Sequence, residues 1–181
     1  MPMTSSQATV NNVANSLKAY INTNIIIPYN TAVAATVYPT PCSIGLAWPD
    51  DPDVFQSVPR IIIELPFSDM GQAQATGLGD RIVYRFKKIM MAVYPGLTTD
   101  GKPSVQSMAA LMDKFDYALG TSLYIPIMDY SVGPVVQVEA MEVLESRIIG
   151  ARGKQDPTLG MDRHRFDFSM AVKYPQTTIG S

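Results

Sequence analysis

The chain of 181 residues is 46% apolar but only 17% charged, with 14 basic and 16 acidic side chains, a net charge of −2 and one cysteine. That length suits a single domain able to bury about 70% of the unfolded chain's surface without a metal or disulfide. The near balance of charge excludes the strongly basic character of a domain that grips DNA, and the lone Cys42 excludes an internal disulfide and fits a reducing compartment. So little solvating charge leans toward a protein that hides surface in an assembly. MPMTSSQATVNN lacks the charged and apolar regions of a signal peptide, and no stretch approaches the roughly 18 uninterrupted apolar residues of a membrane span. A soluble, cytoplasmic protein is expected.

Residues 4–24 read as a helix, capped by Ser5 or Ser6. Val10, Val13, Ala14, Leu17 and Ile21 fall on one apolar stripe, opposed by Asn11, Asn12, Asn15, Lys18 and Asn22. The helix either lies on a sheet with that polar face in solvent, or packs the uncharged face on a neighbouring subunit. Residues 25–59 form a proline-rich extended insertion, because Pro28, Pro39, Pro41, Pro49, Pro52 and Pro59 exclude a long helix. Within it Thr31–Tyr38 suits a short strand, and WPDDPD at 48–53 a rigid acidic turn. Trp48, with Asp50 and Asp51, is either an exposed anchor for a partner or packs back on the domain.

Arg60–Leu65 is short and β-branched, which predicts a buried strand ended by Pro66. Residues 66–80 read as a glycine-rich hairpin loop; GLG lacks the lysine and the following helix of a phosphate-binding loop. Arg81–Tyr94 and Arg163–Tyr174 are the predicted central pair of the sheet. In the latter, Phe166, Phe168, Met170, Val172 and Tyr174 share one face and Arg163, Arg165, Asp167, Ser169 and Lys173 the other. In the former, Ile82, Tyr84 and Phe86 share one parity and Ile89, Met91 and Val93 the other. The switch at Lys87–Lys88 predicts a β-bulge or bend.

Pro103 opens a second predicted helix with an inner stripe of Val105, Met108, Leu111, Met112, Phe115 and Leu119, stopped at Gly120. Leu123–Tyr130, broken by Pro126, suits an edge strand or an irregular crossing. Val135–Ile149 suits a strand whose Val136, Val138, Ala140, Leu144 and Ile148 share a face; a helix from Glu139 onward is the alternative. Residues 150–162 form a glycine-rich connection, and 175–181 a loose tail. The expected fold is α+β in one domain spanning 1–181: a mainly antiparallel sheet flanked by two helices, with a long proline-rich arm and extended hairpins.

No reactive constellation emerges. His164 is the only histidine and has no nucleophile motif nearby, and Glu139, Glu142 and Glu145 would not converge on a strand, where Glu142 points away from the other two. Asp50, Asp51 and Asp53 lack calcium-loop spacing. No enzyme activity, cofactor or metal is expected. Arg147, Arg152 and Lys154 surround the last hairpin, with Arg163 and Arg165 on the outer strand face. They are either ordinary solvated charges, or meet acidic groups of a neighbouring subunit, or line a surface past which DNA moves.

The order helix, strands with a long hairpin, helix, closing strands is carried by Val10–Ile21, Arg81–Val93, Val105–Leu119 and Phe166–Tyr174. It resembles the tail terminator proteins of long-tailed bacteriophages, from whose usual compactness the 25–59 insertion departs. The resemblance implies a homo-oligomeric ring, typically of six subunits, seated on the tail tube protein. Such a ring ends tube polymerisation, presents a surface to the neck or connector protein, and lets DNA pass without binding it specifically. It would belong to the virion and be assembled in the host cytoplasm, with no membrane contact. Two other readings stand beside it: another phage neck protein, of head-closure or tail-completion type, and a non-viral, monomeric ligand-binding α+β domain.

Overall fold

The alternation in Arg163–Tyr174 places Phe166, Phe168, Met170, Val172 and Tyr174 on one face of a strand, and all five are buried in the computed structural model. The structure describes residues 8–33, 42–47, 59–76, 81–96, 105–120, 123–131, 133–156 and 161–177. The chain runs α1 (Val10–Ile21), a π-helical turn (Asn22–Ile26), α2 (Ile27–Val33), β1 (Ser43–Ala47), β2 (Arg60–Glu64), β3 (Ser68–Thr76) and β4 (Arg81–Tyr94). It continues through α3 (Val105–Ala118), β5 (Leu123–Asp129), β6 (Val136–Asp156) and β7 (Met161–Thr177). The strands form one curled sheet in the order β1-β2-β4-β7-β6-β5, with β3 also paired to β4. All pairings are antiparallel except β1 with β2. The fold is thus mixed α/β with an antiparallel-dominated sheet.

One continuous core joins the helical segment 10–33 and α3 to a single face of the sheet. Val13, Leu17, Ile21, Ile25 and Tyr29 from the first segment meet Leu111, Phe115 and Leu119. Beneath them lie Ile61 and Ile63 of β2, Ile89, Met91 and Val93 of β4, and the five β7 residues. Phe115 is the hub, its ring 5.8 Å from that of Phe166 and 5.0 Å from that of Phe168. The Tyr29 hydroxyl is 2.5 Å from Ser107 Oγ and the Tyr20 hydroxyl donates to the Ala118 carbonyl at 3.1 Å, so the two helical segments are tied together inside this layer.

Several expectations are corrected. Helix α1 starts at Val10 with Thr9 as its cap, whose hydroxyl accepts the Asn12 amide at 3.1 Å; Ser5 and Ser6 lie outside the described residues. The helical path continues past Pro28, so Thr31–Val33 is helix rather than strand and the insertion is not extended from its start. Proline lacks the amide of a regular turn and its ring crowds the carbonyl four residues back. The preceding turn is widened to accommodate it: the Ile27 amide bonds to Asn22 O, five residues away. Asn30 then pairs with Cys42 through both side-chain atoms, accepting from its amide at 2.6 Å and donating to its carbonyl at 3.2 Å, which docks α2 against the start of β1. Strand β1 was not legible beforehand; Gly45 in it leaves room for the Arg60 guanidinium, since a Cβ there would sit 3.1 Å from Arg60 Nη2.

Most of 66–80 is strand, not loop: Ser68–Thr76 pairs with β4 as far as Thr76↔Arg81, and only 77–80 lie outside the described residues. The bulge expected at Lys87–Lys88 is absent from β4, which pairs with β7 without a shift from Ile82↔Thr177 to Val93↔Phe166. The irregularity sits on the other partner, between Asp69 and Gly71 of β3, where Gly71 adopts φ 119°. Strand β6 carries shifts between Val143 and Glu145 and between Ile148 and Gly150, so the regular parity expected for it fails. Met141 and Val143 are buried and Leu144 is exposed. Glu145 thereby joins Glu142 on the face away from the helices, while Glu139 pairs with buried Ile127 on the helix side. The expected loose tail is strand to Thr177; Pro175 is accommodated because β7 there pairs with β4 alone. Val10 and Val105, placed on apolar stripes by periodicity, are exposed.

Replacing Phe115 by alanine empties the hub of the core and is expected to cost roughly 3–5 kcal/mol. Equilibrium urea unfolding measures this, and a loss below about 1 kcal/mol would show that the two layers do not depend on this ring.

Candidate functional site

Cys42 is buried, and burial pushes its thiol pKa up to about 12. Among the described residues no group of three His, Cys, Asp or Glu side chains is placed to hold a metal ion, and no helix is long and apolar enough to cross a membrane. What the sheet offers is surfaces, and three features define them.

The first is a closed edge. β5 ends the sheet, and Pro126, Met128 and Tyr130 share the parity whose backbone nitrogens point outward. Proline has no donor there. The Met128 amide donates to Ser16 Oγ at 2.8 Å and the Tyr130 amide to Asn12 Oδ1 at 3.2 Å. Asn12, expected on the outer polar face of α1, is instead buried one turn from buried Ser16. Asn12 Nδ2 also donates to Asp129 Oδ1 at 3.2 Å, which receives the Ser131 hydroxyl at 2.6 Å and the Ser131 amide at 2.9 Å. The Ser131 hydroxyl and amide, with a smaller help from Asn12, hold the Asp129 carboxyl below its ordinary pKa in spite of its burial.

The second is a charged cluster on the sheet face away from the helices, over Ile62, Ala92 and Tyr94, which form a second small core. Arg165 Nε lies 3.0 Å from Asp167 Oδ1, and its Nη1 is 3.9 Å from Glu64 Oε1 and donates to the Tyr94 hydroxyl at 3.3 Å. The Arg165 side chain is only 16% exposed. Arg165, one of the candidate contact residues, is therefore engaged by groups of its own chain.

The third is a strip on the same face where β3, β4 and β7 run on together. Ile82, Tyr84 and Phe86 oppose Thr177, Pro175 and Lys173, whose parity is that of Arg165 and not of Phe166. Lys173 Nζ sits 4.7 Å over the centre of the Tyr84 ring and 3.4 Å from Glu142 Oε2. Across the same row, Glu142 pairs with Tyr124, which is 62% exposed. On the helix side of this region β4 and β3 add polar pairs beside buried Val83, Val172 and Tyr174: Lys87 pairs with Asp69 at 3.1 Å and Arg85 donates to Gln72 at 2.7 Å. The amide of Gly71, then the Lys87 ammonium, lower the Asp69 pKa.

Of the other candidate contact residues, Arg147 is exposed on β6, 3.7 Å from Glu145 in a solvated pair. Arg152 and Lys154 lie on the stretch of β6 that pairs with Arg165 and Arg163 of β7, so backbone pairing brings Arg152, Lys154 and Arg163 to one ribbon. Trp48, Asp50 and Asp51 lie outside the described residues. The strip was half legible: the parity switch at Lys87–Lys88 is its signature, read beforehand as a bulge. The edge closure had no signal short of knowing which strand α1 meets. Comparison with known protein families and with curated proteins gives no match to this sequence.

Two predictions follow from this geometry. A carboxylate with a lowered pKa contributes stability fully above the ordinary range, near pH 4, and loses it as pH falls through its depressed value. Asp129→Asn should therefore be less stable than the parent at pH 7, yet its melting temperature should fall less between pH 5 and pH 2. Equal slopes for the two proteins would remove Asp129 from the acid response. Cys42 should react with a disulfide reagent at pH 8 only at the rate of unfolding; stoichiometric labelling within minutes in native buffer would contradict its burial.

Proposed function

We propose that this chain is a ring-forming structural protein of a long-tailed bacteriophage, of the tail terminator kind. In this reading it caps the tail tube, ends tube polymerisation and joins the tail to the neck, with DNA passing through the lumen. The observation that carries the reading is the way the sheet ends. The β3–β4 ribbon runs to Thr76↔Arg81 at one end, beside Thr177 of β7. The β6–β7 ribbon runs to Asp156↔Met161 at the other, beyond the last β4 pairing at Phe166. The residues from Met161 to Arg165 carry that ribbon roughly 16 Å past the last β4 pair at about 3.3 Å per residue. Extensions at opposite ends, three strands (β3, β4 and β7) at one and the β6–β7 ribbon at the other, suit head-to-tail contacts in which each subunit reaches one neighbour and is reached by the other. Such contacts close into a ring when the rotation between neighbours divides a full turn.

In this arrangement the ribbons are the extended hairpins of the subunit, and Trp48, Asp50 and Asp51 are contact residues for a neighbour. The near-neutral net charge of −2 suits a lumen along which DNA slides. No bond is made or broken; the work is done by shape.

Negative-stain microscopy of the purified protein, alone and mixed with tail tubes, is expected to show rings, or rings only at tube ends. Compact monomers that leave every tube end bare would sink the reading, and binding to the connector but not the tube would reassign the protein to another position in the neck. Changing Arg147, Arg152 and Lys154 together to alanine should weaken assembly or tube attachment without lowering the melting temperature; unchanged assembly would take the β6–β7 ribbon out of the contact.

A further inference from the structure

We propose that neighbouring copies join by seating the outer side of α3 of one subunit on the Tyr84–Phe86–Lys88 strip of the next. The proposal deepens the assembly reading above and rests on it for the existence of a second copy. The two surfaces lie on opposite layers of the subunit: α3 packs its Leu111 and Phe115 side into the core, whereas Ile82, Tyr84 and Phe86 face away from the helices. A contact between them is head-to-tail by construction.

Each surface lacks what the other carries. The strip is aromatic with an added cation: Lys88 shares the parity of Tyr84 and Phe86, and among the described residues it has no ion-pair partner. Its neighbour Lys173 is already held by Glu142. The outer side of α3 is aromatic with added anions. Tyr117 is 91% exposed and Val105 77%, flanking exposed Asp113 and Asp116, which make no ion pair among the described residues. Asp116 stands in the last turn of α3, where the carbonyl end of the helix dipole repels an anion and where no basic residue compensates. A cation arriving from outside relieves that repulsion, and Lys88 is such a cation.

The dimensions agree. Fourteen helical residues of α3 span roughly 21 Å. The seven strand residues from Ile82 to Lys88 span roughly 20–23 Å. Strand addition at β5 is not an alternative route on that margin, because Asn12, Ser16 and Pro126 leave no outward donor between residues 126 and 130 for a partner strand.

The test is a charge exchange in the full chain, read by native mass spectrometry and light scattering. Lys88→Glu alone and Asp113→Lys with Asp116→Lys alone should each assemble at least ~10-fold more weakly than the parent, since each sets like charges against one another. An equimolar mixture should recover assemblies holding the two variants in equal numbers, because every contact in an alternating array is then between opposite charges. Tyr117→Ser, at a side chain without cover, should weaken assembly while leaving the melting temperature unchanged. If the parent assembles and the exchanged variants assemble equally well, or the mixture of folded variants fails to recover, this contact is wrong and the ring reading stands. If the parent stays monomeric alone and on tail tubes, both fail.

Discussion

The ladder between β4 and β7 constrains everything around it. Ile82↔Thr177 to Val93↔Phe166 is an unbroken run, and a strand without an inserted residue cannot rotate its side chains from one face to the other. The sequence nevertheless switches parity at Lys87–Lys88. The outcome is that the apolar side of β4 changes, beneath the helices at Ile89, Met91 and Val93 and on the far side at Ile82, Tyr84 and Phe86, while Val83 and the β7 residues Val172 and Tyr174 stay buried on the helix side. Where the helices end, Arg85 and Lys87 occupy the side they would have covered, each with a polar partner on β3. A sheet built this way asks for cover on two faces at two places. The helices of the same chain supply one of them.

The far face is not uniformly apolar, and its polar part behaves differently. Arg165, Asp167 and Glu64 bring one cation between two carboxylates in a region where Asp167 is buried, with Arg60 beside them. Taking such charges out of water is costly, and mutual pairing returns the cost only when the geometry is good. Removing Arg165 would strip buried Asp167 of its 3.0 Å ion pair and Glu64 of a longer one. Gly45 belongs to the same arrangement, since any side chain there would press on the Arg60 guanidinium.

The sequence disclosed those elements whose signal is local. β2, β4, β7 and α3 follow from alternation or helical spacing within one segment, and Pro126 marks β5 as an edge because proline can donate nothing there. It did not disclose elements defined by their partners. β1 is five residues containing Gly45, and it becomes a strand because β2 lies parallel to it. β3 reads as a flexible tip because Ser, Gly, Gln and Ala show no buried face, and indeed Ser68 to Gln74 are all exposed; it is a strand through its backbone pairing to β4. The bulges of β6 cannot be foreseen from a parity count that assumes none. Arg165 was placed on the correct face of β7 but not at its true depth, which only the positions of Glu64, Asp167 and Tyr94 decide.

The closure of residues 126–130 of β5 by α1 has a consequence for the life of the free chain. A bare sheet margin is an invitation to any passing extended chain, its own unfolded copies included, and such unions grow without limit. Here two short side chains one helical turn apart, Asn12 and Ser16, occupy the sites at which that growth would begin. A passing strand therefore finds no free amide along residues 126–130, and an encounter at that part of the margin must be decided by complementary side chains instead of by backbone stickiness.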